Sequence, residues 1–264
     1  VLPLDGAPGG AGRLGFTLRV PCGVVVAITP FNFPLNLVCH KVGPALAAGN
    51  AVVLKASEFA PATAAVMKKL IDETFDAEYI LFTEGDGAAV IPAMMNSFSF
   101  DHVFYTGSTV VGKIIYKMAA ERLVPVTLEL GGKSPCVVES DANIKVAARR
   151  IAMTKFSNAG QMCVAPDYVL VHENKKEELV AALKSTITKF FGDKAEESYN
   201  YSKIINERQF NRLVNYLPQG NILHGGRTDK DKLFIEPTVV DNVNMESAIM
   251  NDEIFGPILP VISF

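Results

Sequence analysis

The sequence predicts an α/β protein, with a Rossmann-like doubly wound parallel sheet followed by a second α/β domain. Three observations predict this fold class. Between Val24 and Leu130, short β-branched runs alternate with segments of helical period, which is typical of βαβ units. A glycine-rich turn, Gly107–Gly112, joins one such run to a helical segment. A second series of alternating elements begins near Pro135.

The first domain, residues 21–130, is predicted from five apolar runs and two helical stripes. The expected strands are Val24–Thr29, Ala51–Lys55, Tyr79–Thr83, His102–Tyr105 and Val126–Leu130. The expected core-facing stripes are Met67, Leu70, Ile71 and Phe75 on one helix, and Val111, Ile114, Ile115 and Met118 on another. Pro61 is expected at a helix start and Pro125 after a helix end. Right-handed crossovers then place a ligand crevice at the carboxyl ends of the strands.

The second domain, residues 131–264, is predicted to continue the alternation. Strands are expected at Pro135–Val138 and Tyr168–Val171, and a helix over Asn143–Phe156, N-capped by Ser140 or Asp141. The core-facing positions expected on this helix and on the next are Ile144, Ala147, Ala148 and Ile151, and Leu179, Leu183, Ile187 and Phe190.

Both ends of the chain look cut. Residue 1 is Val rather than Met, and the chain stops inside an apolar run, Ile258–Phe264. Residues 1–20, with a Thr17–Val20 alternation, are expected to form an extended excursion outside the first sheet. A truncated sheet would expose an edge, which is a site for association or aggregation.

Composition favours a small-molecule partner. The chain has 25 Lys and Arg against 28 Asp and Glu, a net charge of −3 with no long basic run, so neither nucleic acid nor an anionic membrane is the expected partner. No spanning apolar stretch or signal-peptide pattern is visible, which predicts a soluble, cytoplasmic protein. The cysteines lack metal-ligand or disulfide spacing and are expected to be thiols, with no metal site: Cys22, Cys39, Cys136 and Cys163.

Cys163 is a candidate nucleophile. It lies just past a helix in the loop Asn158–Pro166, where small neighbours leave room for a substrate and for backbone N–H groups that face an oxyanion. An isolated cysteine can equally be a small core residue.

Glu129 is a candidate general base, a carboxylate between Leu128 and Leu130 at a strand end. A salt-bridged strand terminus is the other interpretation.

Two further segments could bind a nucleotide. The turn Gly107–Gly112 opens a helix, whose N-terminal N–H groups can bind phosphate. It nearly matches a P-loop, but Ile114 stands where Ser or Thr would hold magnesium, which argues against a nucleotide triphosphatase. An ordinary glycine-rich turn remains an alternative.

Lys55 and Glu58 follow the second strand, where a dinucleotide fold binds the adenosine ribose, and Glu58 favours a free 2′-OH over a 2′-phosphate. A solvated loop is the simpler interpretation of this pair.

Taken together, the chain resembles the aldehyde dehydrogenase superfamily in six ordered motifs. The separation of Glu129 and Cys163, 163 − 129 = 34 residues, is also similar to that family's spacing. The motifs are Pro30–Pro34 (PFNFP), Ala48–Lys55 (AGNAVVLK), Tyr105–Gly112 (YTGSTVVG), Glu129–Pro135 (ELGGKSP), Gly160–Cys163 (GQMC) and Glu253–Pro257 (EIFGP).

The resemblance implies a role for each matching residue. Cys163 would attack an aldehyde, Asn32 and the Cys163 N–H would hold the oxyanion, and Glu129 would activate water to hydrolyse the thioester. Retention of Glu129 favours release of the free acid over transfer to coenzyme A. NAD or NADP would be bound by Ile28, Thr29, Pro30, Phe31, Lys55, Ser57, Glu58, Gly107, Ser108, Gly112, Leu130, Gly131, Glu253 and Phe255.

The resemblance is divided between branches of the family. From Asp76 onward the chain is most similar to class 3, which oxidises medium-chain and aromatic aldehydes and accepts both cofactors, whereas Leu18–Pro34 is similar to branches that act on small hydroxyaldehydes and semialdehydes. Ala56 and Met162 depart from the usual motif residues without removing a chemical group. The family implies a homodimer or a higher homo-oligomer, with residues 1–20 contributing part of its bridging oligomerisation strands. Truncation leaves a catalytically silent fragment or scaffold as an alternative, and cofactor-free hydrolysis of esters or thioesters as another.

Overall fold

The computed structural model describes residues 2–3, 14–15 and 18–264. The chain divides into two compact units, Val1–Glu129 and Leu130–Phe264. Two short strands, β1 (Leu2–Pro3) and β2 (Leu14–Gly15), pair in antiparallel fashion. The other residues before Leu18, including Thr17, lie outside the described part, and the bridging role expected for residues 1–20 stays a prediction.

The first unit contains a five-stranded parallel sheet in the order β5-β4-β3-β6-β7. Its strands are β3 (Val24–Ile28), β4 (Ala51–Lys55), β5 (Ile80–Thr83), β6 (His102–Thr106) and β7 (Val126–Glu129). The predicted strands are confirmed to within one residue at each end. The chain winds outward from β3 first in one direction and then in the other, so the doubly wound topology is also confirmed.

Four helices connect these strands: α1 (Pro34–Ala47), α2 (Pro61–Thr74), α3 (Gly87–Ser97) and α4 (Thr109–Ala120). Proline occupies the start of α1 and α2, where its missing N–H is not needed. Asp86 and Ser108 cap α3 and α4 through their side-chain oxygens. The start of α2 at Pro61 is as predicted, whereas α1 and α3 were not predicted.

The predicted core-facing stripes of α2 and α4 are partly wrong. Met67 and Ile115 are buried, but their apolar neighbours Leu70 and Ile114 are 56% and 53% exposed. The sheet covers only a narrow face of α2, so that of the adjacent pair Leu70 and Ile71 only Ile71 packs against the core. Of the remaining members, Val111 and Phe75 are exposed, whereas Ile71 and Met118 are half-buried. Small residues complete the buried faces: Ala64 on α2, and Gly112 and Ala119 on α4.

The second unit is built on another five-stranded sheet, in the order β10-β13-β14-β9-β8, in which only the edge strand β10 is antiparallel to its neighbour. A short antiparallel hairpin, β11 paired with β12, comes between β10 and β13 in the sequence. The strands are β8 (Pro135–Val138), β9 (Tyr168–Val171), β10 (Asn221–His224), β11 (Thr228–Asp229), β12 (Phe234–Ile235), β13 (Thr238–Asp241) and β14 (Ile258–Ser263). Strands β8 and β9 have the predicted bounds. The apolar run at the end of the chain forms β14, which pairs on both sides.

The helices of this unit are α5 (Ile144–Phe156), α6 (Lys176–Phe191), α7 (Glu207–Val214) and α8 (Ala248–Asn251). The expected cap of α5 by Ser140 or Asp141 is wrong, because the Asn143 side chain accepts the hydrogen bond from the Val146 N–H at 3.2 Å. The stripes of α5 and α6 are buried as predicted, although Phe191 rather than Phe190 completes the face of α6. No helix of the described residues is long and apolar enough to span a membrane.

Candidate active site and cofactor site

Predicted site residues end strands β3, β4 and β7 of the first sheet. Ile28 and Lys55 are paired at the ends of β3 and β4. Thr106 and Glu129 are paired at the ends of β6 and β7. Parallel strands bring such residues to one edge of the sheet, where open α/β sheets bind their ligands. The structure therefore brings Ile28, Lys55 and Glu129 to one edge of the sheet of the first unit.

Lys55 and Glu58 form an ion pair at this edge. The Lys55 side chain is 2% exposed, and its Nζ lies 2.6 Å from Glu58 Oε2. The other oxygen, Glu58 Oε1, accepts a hydrogen bond from the Gly87 N–H at 3.2 Å. Burial acts to raise the pKa of Glu58, but the bonds from Lys55 and Gly87 outweigh it and keep this pKa below its ordinary value. Glu58 is therefore a fixed carboxylate with one third of its surface open.

Thr29 and Ser57 are buried beside this pair. The Thr29 N–H donates to the Lys55 carbonyl at 3.0 Å, which extends the β3–β4 ladder by one bond beyond the strand. Ser57 Oγ accepts from the Phe59 N–H at 3.3 Å. These bonds hold the backbone on both sides of Lys55, so the position of the ion pair is set by main-chain geometry.

The segment before α1 carries Pro30, Phe31 and Asn32, which are half-buried. The Phe31 ring meets the Phe59 ring edge to face, with centroids 6.3 Å apart. This contact joins the loop that bears Asn32 to the loop that follows Lys55. Asn32 is thus presented by a short connection between β3 and the Pro34 start of α1.

Lys41, on α1, was missed by the sequence analysis. Its side chain is buried, and its Nζ donates to the Ile28 carbonyl at 3.1 Å and to Thr106 Oγ1 at 2.6 Å. Burial lowers the pKa of Lys41 to about 8, although the charge of Glu129 acts in the opposite direction. The Glu129 side chain itself is exposed. A lysine that titrates near neutrality therefore lies in the field of the predicted base.

The predicted phosphate turn begins at Gly107. Its N–H donates to the Glu129 carbonyl at 3.1 Å, and a Cβ atom there would lie 2.3 Å from the Tyr105 hydroxyl oxygen. Ser108 caps α4 by accepting from the Val111 N–H at 3.4 Å. Gly112 lies buried within α4 rather than in the turn. A side chain at the first position of the turn would therefore require the Tyr105 ring to move.

In the second unit, Cys163 is exposed in a turn that follows α5. A 3-10 segment, Ser157–Gly160, leads into this turn, and Asn158, Ala159 and Gly160 all have positive φ, at 51°, 50° and 73°. Left-handed backbone costs about 1 kcal/mol or more at a residue with a side chain. Such strain persists only where the surroundings hold the turn.

Gln161 holds this turn and was not singled out from the sequence as a separate site residue. Its buried side chain donates to the carbonyls of Asn158 and Lys203, both at 3.0 Å. Its Oε1 accepts from the Ile205 N–H, also at 3.0 Å. Both N–H donors and the oxygen of this amide are therefore used, and two of the three bonds fasten the residue to the distant loop at Lys203 and Ile205. The thiol is thereby presented on a rigid, solvent-facing turn.

Glu253 and Gly131 are in direct contact. A Cβ atom at Gly131 would lie 2.1 Å from Glu253 Oε2, and the Gly132 backbone hydrogen-bonds the Glu253 carboxylate. Burial and the negative charge of Asp167 raise the pKa of Glu253 to about 7. Leu130 and Phe255 flank these positions in sequence, both half-buried, and Phe255 has a positive φ of 48°.

A buried group of charges fixes the backbone around Glu253. Lys133 Nζ is bonded to Asp167 Oδ2, and it donates to the carbonyls of Ile249 at 2.6 Å and Asp252 at 3.0 Å. Asp167 Oδ1 accepts from the Ile254 N–H at 2.9 Å. Asp167, four positions after Cys163, is thus bonded directly to Ile254 and, through Lys133, to Asp252. These two residues are the sequence neighbours of Glu253. Neither Lys133 nor Asp167 was assigned a role by the sequence analysis.

The predicted site residues fall in both units. Asn32, Lys55, Glu58, Gly107 and Glu129 belong to the first unit, whereas Gly131, Cys163, Glu253 and Phe255 belong to the second. All four cysteines are free thiols, as predicted. Among the residues that the structure describes, no cluster of three or more His, Cys, Asp or Glu side chains could hold a metal ion.

Comparison with known proteins identifies the family. Residues 3–264 match the model of the aldehyde dehydrogenase family. The chain is 50% identical to 4,4'-diaponeurosporen-aldehyde dehydrogenase from Staphylococcus aureus, over 93% of this chain and 54% of that protein. It is 44% identical to the dimeric NADP-preferring aldehyde dehydrogenase of Mus musculus, over 92% of this chain and 53% of that protein. The chain therefore spans about half the length of the curated relatives it matches.

Solved structures agree in fold. The substrate-bound AldH of Staphylococcus aureus has a TM-score of 0.87 and 49% identity, over 93% of this chain and 54% of that one. An aldehyde dehydrogenase C mutant of Pseudomonas syringae, in complex with NAD+ and octanal, has a TM-score of 0.85 and 33% identity, over 93% of this chain and 53% of that one. The relatives include members of aldehyde dehydrogenase family 3, as the resemblance of the later segments predicted. With its ordered motifs and both sheets accounted for, the chain belongs to the aldehyde dehydrogenase family.

Proposed function

We propose that the whole protein oxidises an aldehyde to a carboxylic acid with NAD or NADP, using Cys163 as nucleophile and Glu129 as general base. The observation that carries this proposal is the exposed Cys163 thiol on a turn that Gln161 fastens on both sides. A cysteine that served only as a small core residue would be buried, as unreactive cysteines usually are.

In the proposed reaction, the Cys163 thiolate attacks the aldehyde carbon and forms a C–S bond. The side-chain amide of Asn32 and the Cys163 N–H donate hydrogen bonds to the resulting oxyanion. The nicotinamide, when bound, supplies the acceptor for the hydride that leaves this carbon. Glu129 then takes a proton from water, whose oxygen attacks the thioester carbon, and the C–S bond breaks to return the thiolate and release the acid.

The residues present fit a dinucleotide. Lys55 and Glu58 offer a donor and an acceptor for the hydroxyls of the adenosine ribose. Gly107, where a Cβ atom would contact Tyr105, has no side chain to cover the backbone beside the capped start of α4. Glu253 and Phe255 would bind at the nicotinamide ribose. The negative charge of Glu58 favours NAD, since a 2′-phosphate would be repelled. Binding of NADP should therefore improve in Glu58→Gln relative to NAD.

Ile28, Thr29, Pro30, Phe31, Ser57, Ser108, Gly112, Leu130 and Gly131 are proposed to complete the cofactor surface. The substrate proposed is an aldehyde with an apolar chain. One relative is named a 4,4'-diaponeurosporen-aldehyde dehydrogenase, and the structure of another is a complex with octanal. A homodimer is proposed for the whole protein, since the relative from Mus musculus is described as dimeric.

The test is NADH formation with acetaldehyde, hexanal, octanal and benzaldehyde. Cys163→Ser should lose at least about 100-fold in rate, while Cys39→Ser, which changes another exposed thiol, should keep full activity. Glu129→Gln should give a burst of NADH followed by slow turnover, because hydride transfer precedes hydrolysis. Full activity in Cys163→Ser would contradict the assignment of Cys163 as the nucleophile. Loss of activity in both cysteine variants would indicate unfolding rather than loss of the nucleophile.

A further inference from the structure

The backbone of the segment Asp252–Ile254 is held by charged side chains from three other parts of the second unit. Lys133 and Arg212 donate to its three carbonyl oxygens, at 3.0, 3.4 and 2.7 Å in chain order. Asp167 accepts from the last N–H of the segment at 2.9 Å. Because all three carbonyls are bonded, Glu253 can move its carboxylate only by rotation about its own side-chain bonds.

The Glu253 carboxylate occupies the space where a side chain at Gly131 would begin. A Cβ atom there would overlap Glu253 Oε2 and lie 2.9 Å from the carboxyl carbon, closer than such atoms pack. The Gly132 backbone hydrogen-bonds the same carboxylate. The open side of Gly131 is therefore filled by the acidic group of Glu253, and a residue with a side chain could not leave the group in this place.

The neighbouring Gly132 gives a comparison at the next position. A Cβ atom there would meet no other atom within 4 Å. Neither glycine has a positive φ, so alanine fits the backbone at both. The atoms that a Cβ at Gly131 would displace belong to the end of a flexible side chain, which can rotate away at small cost. Glycine at this position is therefore needed for the location of the carboxylate and not for the fold.

We propose that Gly131 is a positioning residue for Glu253: because it carries no side chain, the carboxylate lies where it can accept the hydroxyl groups of a bound ribose. The assignment of Glu253 to the ribose rests on the proposed function. The dependence of the carboxylate on Gly131 does not, because it follows from contacts within the second unit. A carboxylate that is already in place loses little further rotational freedom when a ligand binds, which favours affinity.

The location of the carboxylate can be followed without a cofactor. In protein labelled with ¹³C-glutamate, the carboxyl signal of Glu253 is identified in NMR spectra by its loss in Glu253→Gln. Burial and the charge of Asp167 raise the pKa of Glu253 to about 7. The charges of Lys155 and Arg212 act in the opposite direction. The titration midpoint of this signal therefore reports whether the carboxylate remains in its half-buried position.

Gly131→Ala should lower this midpoint by at least about one pH unit, because the carboxylate leaves its half-buried position for solvent. Gly132→Ala is the matched control and should leave the midpoint unchanged. Both variants should unfold at the same urea concentration to within about 0.3 M, since no main-chain atom of another segment is among those nearest to either Cβ. A midpoint that does not move in folded Gly131→Ala would overturn the proposal.

If Gly131→Ala does not fold, the double variant Gly131→Ala/Glu253→Ala gives the second measurement. Loss of the carboxylate removes the atoms that the new methyl group overlaps, so folding should recover. A double variant that also fails to fold would overturn the proposal, because the glycine would then serve the fold.

Affinity for NAD, measured by calorimetry at about pH 8, tests the consequence for the ribose. Gly131→Ala should bind NAD at least about 10-fold more weakly, as expected for the loss of a charged hydrogen bond, and Gly132→Ala should bind within about 2-fold of the unmodified chain. In the Glu253→Ala background, Gly131→Ala should have no further effect. A further loss there would mean that the methyl group acts on the cofactor directly, and would overturn the positioning role.

The two measurements separate this proposal from the proposed function. If the carboxyl midpoint shifts as expected while the unmodified chain binds no NAD, the assignment of Glu253 to the ribose fails and the dependence of its carboxylate on Gly131 stands.

Discussion

Replacing Gly160 by alanine tests whether the Cys163 turn is held by close backbone packing. The new Cβ would lie 2.2 Å from the Gly256 carbonyl oxygen, 2.4 Å from its carbon and 2.9 Å from the Lys155 carbonyl oxygen. All three are main-chain atoms, so no side chain can rotate away. The residue also has φ of 73°, in the left-handed region.

The expected loss of unfolding free energy is about 2–5 kcal/mol, from roughly 1–2 kcal/mol of left-handed strain and about 1–3 kcal/mol of overpacking. Urea unfolding of the second unit, read by circular dichroism, measures this loss directly. Gly132→Ala is the matched control, since its Cβ would meet no atom within 4 Å. If Gly160→Ala were as stable as this control to within about 0.5 kcal/mol, the rigid packing of the turn against Gly256 would be refuted.

Three other changes separate structural from electrostatic contributions. Gly43→Ala, within α1 and with open space around its Cβ, should stabilise the first unit by about 0.5–1 kcal/mol in thermal unfolding, and a loss of stability would contradict the helix geometry. Because burial raises the pKa of Glu253 to about 7 from 4.5, the stability tied to its protonation is lost as pH rises through that range. Glu253→Gln should thus match the original chain at pH 4 and exceed it at pH 8 by about 1–2 kcal/mol, after discounting for partial exposure, whereas an equal difference at both pH values would point to packing. Asp167→Ala should cost about 3–5 kcal/mol in urea unfolding because it leaves Lys133 and Lys155 uncompensated, and Asp167→Asn, which removes the same charge, should cost most of this amount; a small cost in Asp167→Asn would argue against a charge effect.

The strands of the first sheet could be predicted because each is a short β-branched run bounded by glycine, proline or polar residues. The helix faces were harder to predict. Where two apolar residues are adjacent, as at Ile114 and Ile115, only tertiary packing decides which one is buried, and the sequence carries no signal for that choice. The strands β10 to β13 are only 2 to 4 residues long and take their order from distant partners.

The residues that support the site are the part that local sequence patterns do not reveal. Lys41 reaches Thr106, 65 positions away, and Asp167 reaches Ile254, 87 positions away. A polar residue in an apolar segment gives no indication of such a partner until the chain is folded. By contrast, Glu129 and Cys163 could be singled out because each lies in a short motif whose spacing along the chain is informative.

The supports of the Cys163 turn also determine when it can form. Gly160 packs on Gly256, Gln161 binds the loop at Lys203 and Ile205, and Asp167 binds Ile254. During synthesis, the segment around the cysteine leaves the ribosome before any of these partners, and closing such long loops is slow. We therefore expect the thiol to stay on an unfastened loop until β14 is inserted beside β9, so that the geometry proposed for the nucleophile is acquired only after this long-range pairing.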